Sequence, residues 1–354
     1  MPWKEINLMD QRLEFAQRAL TETITFSELC KEYNISRKTG YKWKQRFLDY
    51  GYSGLANQST KPHNNPNQLS EDTVIRILQI KLAHPSWGAR KIQSIFEKSY
   101  PSNDVPSESS IKRILDKAGL VKKKRVSRVN PSQNLLRQMI QPDNPNDVWT
   151  VDFKGWWYST DKLKCLPLTI RDEKSKFILD IRLIKSQTTQ VVKEVFVDIF
   201  KKYGLPKVIR SDNGNPFAIH NSPLGLTKLS AWWMSLGIIP DRIEPGCPYQ
   251  NGGHERMHRD LKMEVQRQYK ANLPFYQKII DEWRTEFNTI RPHEALNYKT
   301  PFEVYTPSPI KYKGDIDEIV YPLNFQTRKV SSSGYIKLNS VEIFITNDLA
   351  GYQL

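Results

Sequence analysis

A change of period at residue 148 constrains this chain more than any other feature. Before it, apolar residues recur at helical spacing; after it, three runs rich in β-branched and aromatic residues follow in close succession. Val148 to Trp157, Leu163 to Ile170 and Lys176 to Ile184 read as strands, the last two joined by the turn Arg171-Asp172-Glu173-Lys174-Ser175. Together they predict an antiparallel meander. Inside the first, Trp149-Thr150-Val151-Asp152-Phe153 sets a carboxylate mid-strand among apolar neighbours. Such a group is costly to bury unless something cationic meets it. A helix over Gln190 to Tyr203 comes next, with Val191, Val192, Val195, Phe196, Ile199 and Phe200 on its buried side and Gly204 and Pro206 ending it. Lys207 to Arg210 then reads as a short buried strand, and Leu226 to Leu236 as a helix.

Two further carboxylates fall at element ends. Asp212 follows the short strand directly in Ser211-Asp212-Asn213-Gly214, where Gly214 permits close backbone approach. Glu255 lies in Pro248-Tyr249-Gln250-Asn251-Gly252-Gly253-His254-Glu255-Arg256-Met257-His258-Arg259-Asp260-Leu261-Lys262. Pro248 and the glycine pair mark a loop, and the residues after them predict a helix whose positive end favours Glu255. Arg259 and Lys262 share the helical face of Glu255, a pattern that by itself also describes a surface salt-bridge ladder. Three strands, helix, strand, helix, then the Glu255 helix is the order of a ribonuclease-H-like α/β fold with a mixed five-stranded sheet, here expected over residues 147–305. In that order the first strand's middle, the fourth strand's tip and the start of the Glu255 helix converge. Three oxygen donors so placed suit Mg²⁺.

The N-terminal third predicts all-α helix-turn-helix modules. In residues 1–56, Phe26, Leu29, Cys30 and Tyr33 sit at helical spacing, and Ser36 is a natural N-cap for a second helix from Arg37 to about Asp49. That helix carries Arg37, Lys38, Lys42, Lys44 and Arg46 among Tyr41, Trp43 and Phe47. A short basic helix after a tight turn is the layout that enters the major groove, though short helical hairpins are common in all-α domains. Residues 70–120 repeat the layout, as a second helix-turn-helix or as a three-helix domain that positions its neighbours. Residues 121–146 read as a basic linker, where Lys122, Lys123, Lys124 and Arg125 are placed to meet phosphates. Short alternating strands in residues 306–354 predict a small β-barrel.

Composition narrows the partners. Lys and Arg outnumber Asp and Glu by 53 to 38, a net charge of +15 over 354 residues. A surplus of that size fits a polyanion such as DNA. A membrane surface fits less well, because the chain has no 18-residue apolar run. The three cysteines make no Cys-x-x-Cys pair, and the N-terminus lacks the apolar core of a signal peptide, so a cytoplasmic protein is expected.

The quoted motifs, together with Ser211-Asp212-Asn213-Gly214-Asn215-Pro216-Phe217, Asn288-Thr289-Ile290-Arg291-Pro292-His293-Glu294-Ala295-Leu296 and Thr300-Pro301, carry a family resemblance. Over roughly residues 20 to 305 the chain resembles insertion-sequence transposases of the retroviral-integrase-like superfamily, whose catalytic core is Asp-Asp-Glu. The resemblance implies that Asp152, Asp212 and Glu255 are catalytic metal ligands for two Mg²⁺ ions, with Mn²⁺ as a substitute. It implies that Lys262, with Arg259 beside it, contacts DNA, as do Ser36, Arg37, Lys38 and Lys42 in the helix-turn-helix. The partners implied are double-stranded DNA, as terminal repeats and target, and further copies of the chain in a dimer or tetramer. One departure is the Asp212 to Glu255 spacing of 43 (255 − 212), longer than the family's usual gap, with the surplus placed in the Ala218 to Lys228 loop. His254 and His258 flank Glu255 but read as packing residues, since Mg²⁺ prefers oxygen. Arg291 and His293 read as braces of the core. Two rival readings are a catalytically silent DNA-binding regulator and a ribonuclease-H-type hydrolase without strand transfer.

Overall fold

The computed structural model describes residues 7–21, 24–58, 68–101, 104–121, 139–218, 225–244, 247–314 and 324–353. Contacts divide the chain into two units, residues 1–69 and 70–354. Lys122, Lys123, Lys124 and Arg125 lie outside the described residues, as do 219–224 of the predicted insertion.

The first unit is three helices, α1 (Leu8–Arg18), α2 (Phe26–Glu32) and α3 (Arg37–Tyr50). Thr25 and Glu28 form a capping box at the start of α2, satisfying amide groups that the helix cannot pair itself. Ser36 caps α3 as expected, its hydroxyl accepting from the Thr39 amide at 3.2 Å. Phe15, Leu29, Cys30, Trp43 and Leu55 fill the core between the helices. Gly40 stands where α3 crosses this core: a Cβ there would lie 2.6 Å from Cys30 Sγ and 3.0 Å from the rings of Phe15 and Phe26. The close crossing leaves Arg37, Lys38, Tyr41 and Lys42 on the exposed side of the first turns of α3.

In the second unit, α4 (Glu71–Ala83), α5 (Ala89–Ser99) and α6 (Glu108–Lys117) share a core of Ile77, Trp87, Ile92, Phe96, Ile111 and Leu115. Ser70 and Ser107 cap two of them through the amides of Thr73 and Ser110. This bundle is joined to the α/β core by polar contacts. His84 Nδ1 lies 3.0 Å from Glu286, Ser86 donates to Glu264 at 2.7 Å, and Lys98 pairs with Glu303 at 2.9 Å.

The core sheet has five main strands: β1 (Val148–Phe153), β3 (Lys164–Asp172), β4 (Ile178–Ile184), β5 (Val208–Ser211) and β6 (Ile239–Arg242). A two-residue β2 (Trp157–Tyr158), pairing the start of β3, makes a sixth. The expected count of five is thus exceeded by this stub, which ends the pairing of an aromatic run that a pattern alone reads as one strand. Strands β1, β3 and β4 are antiparallel, while β5 and β6 run parallel to β1, giving the order β4-β3-β1-β5-β6. Ile239-Pro240-Asp241-Arg242 has no strand signature in its sequence. Its place is set by tertiary partners, with the Arg210 guanidinium 2.9 Å from the buried Asp241 carboxylate across the β5–β6 pair.

Helices cover both faces. On one, α7 (Thr189–Tyr203) and α8 (Lys228–Ser235) pack Val192, Phe196, Phe200 and Trp233 against Trp149 and Val151. On the other, α9 (Gly252–Leu261) and α10 (Leu273–Thr289) pack Met257, Leu261, Ile280 and Trp283 against Cys165, Ile178 and Ile181. Because side chains alternate along a strand, Thr150 and Asp152 turn to the α9 face while Trp149 and Val151 turn to the α7 face.

The expected C-terminal β-barrel is not supported. Residues 324–353 give a two-stranded hairpin, β7 (Tyr335–Leu338) with β8 (Val341–Phe344), and one bridge between Lys329 and Gln353. Strands of four residues are too short to close on themselves, and Val330 and Leu349 instead bury their side chains against Ala231 of α8.

Replacing Gly40 with Ala adds helix propensity but places a methyl where Cys30 and two rings already stand. The clash should dominate, costing about 1–3 kcal/mol. Thermal melting of the variant checks this, with a lowered midpoint expected and an unchanged or raised one contradicting the account.

Candidate active site

Asp152 is the centre of the site. It sits on β1 with a side chain 20 % exposed, against the first turn of α9. The Asn251 amide donates to its Oδ2 at 3.1 Å, and His258 Nδ1 lies 3.9 Å from the same oxygen. No Lys or Arg pairs with it among the described residues. Its carboxyl is pushed up to about 7, first by burial, then by the negative charge of Asp212 and, more weakly, of Glu255. Asp212 and Glu255 therefore act on Asp152 electrostatically, while the residues whose ligand atoms come within 4.8 Å of one another are Asp152, His254 and His258.

Asp212 follows β5, and its Oδ1 accepts from the Gly214 amide at 3.1 Å, a local turn that fixes the carboxylate beside the strand end. A Cβ on Gly214 would lie 3.1 Å from Asp212 Oδ2, so the glycine keeps that oxygen uncrowded. Glu255 is in the first turn of α9 and is exposed, as are Arg256, Arg259 and Lys262. Neither Asp212 nor Glu255 has an ion-pair partner among the described residues, which leaves their oxygens available to a ligand. Lys262 opens a π-helical turn, Lys262–Gln266, and its charge depresses Lys154, already lowered by burial, to about 8. The Lys154 ammonium, 2.8 Å from Gln266 Oε1, is a further cation whose charge acts on His258.

The Gly252-Gly253 pair is helical rather than part of the loop, because α9 begins at Gly252. The reason is Arg171. This residue of β3 is 4 % exposed and passes under the helix start, where a Cβ on Gly253 would fall 1.8 Å from its Nη2. Arg171 is held by Glu173 and, through Nε, by Thr150 Oγ1 at 3.3 Å. Further along, Arg291 is buried between Asp260 and Glu264 and lies over the Trp283 and Phe287 rings. It braces α9 against α10, and the His293 ring packs on Phe287 with a centroid separation of 4.6 Å.

His254 is fully buried and His258 half-buried, both on the inner face of α9. Burial, with Arg171 nearby, holds His254 well below the ordinary imidazole value; burial and Lys154 hold His258 near 3. Both rings are neutral at physiological pH. One ligand atom from each of Asp152, His254 and His258 lies within 4.8 Å of the other two, so the imidazoles are part of the site's wall. The spacing His254-Glu255-Arg256-Met257-His258, two imidazoles one helical turn apart, is the signal by which they were detectable.

Comparison with known proteins bears on the domains of the chain. Residues 142–248 and 236–301 match two family models, each described as an integrase core domain. Residues 142–301 are therefore similar to an integrase core domain. Residues 11–63 match a helix-turn-helix domain and 39–115 a homeodomain-like domain, so helical DNA-binding modules precede that core. An uncharacterized 31.7 kDa protein of insertion element IS407 from Burkholderia multivorans is 26 % identical over 255 residues, covering 71 % of this chain and 86 % of that protein. A 39.2 kDa protein of insertion element IS476 from Xanthomonas euvesicatoria is also 26 % identical, covering 70 % of this chain and 71 % of its own. The transposase for insertion element IS904 of Lactococcus lactis is 25 % identical over 179 residues, 49 % of this chain and 67 % of that one. Among solved structures, the catalytic core domain of HTLV-2 integrase in complex with magnesium aligns with a TM-score of 0.34 at 17 % identity, covering 47 % of this chain and all of that one. The resemblance to insertion-sequence transposases thus holds at the level of domains: helix-turn-helix modules followed by an integrase core of ribonuclease-H-like topology.

The crowding at Asp152 has a stability consequence. Its folded pKa stands above the unfolded value, so the folded integrase core holds its proton longer than the unfolded chain. Metal-free stability therefore falls as pH rises from about 4 to about 7, the window between the two pKa values. Asp152→Asn removes that penalty. In chelator at pH 8 its melting midpoint should exceed the wild-type value by a few degrees, and the gain should vanish near pH 4. A variant less stable at pH 8 would show that Asp152 is compensated by some other group.

Proposed function

We propose that this chain is a DNA transposase that binds the ends of a mobile element, cleaves a phosphodiester bond there and joins the freed 3′-hydroxyl to target DNA. The observation that carries this reading is the Asp152 carboxylate, raised by burial and then by Asp212 and Glu255, in a segment that matches an integrase core. A buried acid with two acidic neighbours and, among the described residues, no Lys or Arg partner fits a cation-binding site better than a structural ion pair. Its donor set is entirely oxygen on the Asp212 and Glu255 side, which suits Mg²⁺, with Mn²⁺ as a substitute. Asp152, Asp212 and Glu255 would hold the ions, which would supply charge stabilisation to the phosphoryl oxygens and a more reactive attacking oxygen.

The protein's own groups do the rest. The Gly214 amide fixes Asp212, and the Asn251 amide fixes Asp152. Arg259 and Lys262, exposed on the helix that bears Glu255, take the phosphates on either side of the reacting bond, with Lys154 behind them. Water is the first attacking group and frees the 3′ end; that hydroxyl is the second, so no covalent protein intermediate is needed. Ser36, Arg37, Lys38 and Lys42 at the exposed start of α3 contact the terminal repeat. Joining two ends requires at least two copies, in a dimer or tetramer. The net charge of +15 supports binding to the DNA backbone throughout.

The test is joining of labelled element ends to plasmid in Mg²⁺ by the full chain and its Asp152→Asn and Glu255→Gln variants. Both variants should lose at least ~10³-fold in joining while end binding in a gel-shift assay stays within a few-fold of wild type. Joining retained in either variant sinks the assignment, and a wild type that binds ends but never cleaves them would identify a catalytically silent regulator.

A further inference from the structure

His254 and His258 have no role in the reaction just described, yet both face Asp152's side of the sheet. Hydrogen bonding fixes the tautomer of His258. The Thr169 hydroxyl has one proton and donates it to the Asp152 carbonyl oxygen at 2.9 Å. Its contact with His258 Nε2, at 2.8 Å, must therefore be one in which the ring N–H donates. Nδ1 of His258 is left with a bare lone pair, 3.9 Å from Asp152 Oδ2. A lone pair facing a carboxylate oxygen is unfavourable until a cation stands between them.

His254 is arranged alike. Its Nε2 lies 3.2 Å from Thr150 Oγ1, and its Nδ1 is buried with no hydrogen-bond partner. Each imidazole thus has its Nε2 held by a threonine hydroxyl, as metal-binding histidines have one ring nitrogen held by an outer partner. Their spacing, i and i+4 on one helical face, is the one with which helices present two nitrogens to zinc. Donors around tetrahedral zinc stand roughly 3.3–3.6 Å apart. The trio, within 4.8 Å, closes on an ion by side-chain shifts on the order of 1 Å. Asn251, donating to the same Oδ2, keeps that oxygen turned toward the rings. The charges of Arg171 and Lys154 act on the same rings and weaken cation binding, an effect that Glu173 offsets at Arg171.

We propose that Asp152, His254 and His258 form a second metal site, selective for nitrogen-binding divalent ions of the zinc class, whose occupation withdraws Asp152 from the carboxylate trio. Mg²⁺ has no affinity for the imidazoles and leaves this site empty. Zinc takes it, and Asp152 can no longer serve phosphodiester chemistry. The binding site stands on the geometry alone; the inhibition rests on the transposase reading.

Co²⁺, a zinc surrogate with visible absorption, separates the two. Titrated into the metal-free full chain, it should give the intense absorption of a tetrahedral nitrogen-ligated ion, which Zn²⁺ abolishes by displacement. His258→Gln, whose folding is checked by thermal melting, should weaken binding at least ~10-fold and lose the tetrahedral band. Asp212→Asn and Glu255→Gln should keep it. An absent band in wild type, or one unchanged in His258→Gln, overturns the site. The inhibition is read separately, as loss of Mg²⁺-dependent joining at Zn²⁺ concentrations that fill the cobalt site. If the band behaves as expected but zinc leaves joining intact, the site stands and Asp152's place in the reaction fails.

Discussion

Burial of one carboxylate beside two others is the constraint on which the rest of this structure turns. Asp152 is fixed mid-strand, where alternation along β1 forces its side chain into the space beneath α9, and among the described residues no Lys or Arg pairs with it. Asp212 and Glu255 add to the unfavourable field. A folded chain tolerates such a cluster only because the surrounding core is large: the α7–α8 side buries Phe196, Phe200 and Trp233, and the α9–α10 side buries Leu261, Ile280 and Trp283. Stability made by those layers holds Asp152 in a setting that disfavours its charged form.

Rigidity of the helix start is the second requirement. Glu255 has a defined position because α9 begins at Gly252, and α9 can begin there because Gly253 leaves room for the Arg171 guanidinium. Arg171 in turn is tied to Thr150, two residues from Asp152 on the same strand. Farther down, Arg291 anchors Asp260 and Glu264, and the helical bundle of α4–α6 reaches the same segment through Ser86. The acidic site, the buried arginines and the helical bundle thus meet on one helix and its π-helical extension.

Much of this was legible in the sequence. The meander, the α7 helix, the N-cap at Ser36 and the order of the core elements follow from periodicity and capping residues, which act locally. Asp152 stands out in the sequence because an acid inside an apolar strand is costly unless something meets it. What escaped had no local signature. Strand β6 is built from Ile239-Pro240-Asp241-Arg242, a turn-like tetrapeptide held in the sheet by β5 and by the buried Arg210–Asp241 pair. Gly252 and Gly253 looked like a loop because the need for a missing Cβ arises from Arg171, more than eighty positions upstream. The C-terminal strands alternate as barrel strands do, but closure depends on partners that alternation does not report. The roles of Thr150 and Thr169 in setting the imidazole tautomers are likewise visible only when strand and helix are placed together.

The central claim is that the carboxylates around Asp152 form a cation site. The most direct measurement is the melting midpoint of the metal-free full chain at pH 8 as Mg²⁺ is added. Relief of the repulsion predicts a rise in wild type that saturates with Mg²⁺ and is absent in Asp152→Asn. A midpoint indifferent to Mg²⁺, or one that rises equally in both proteins, would contradict it.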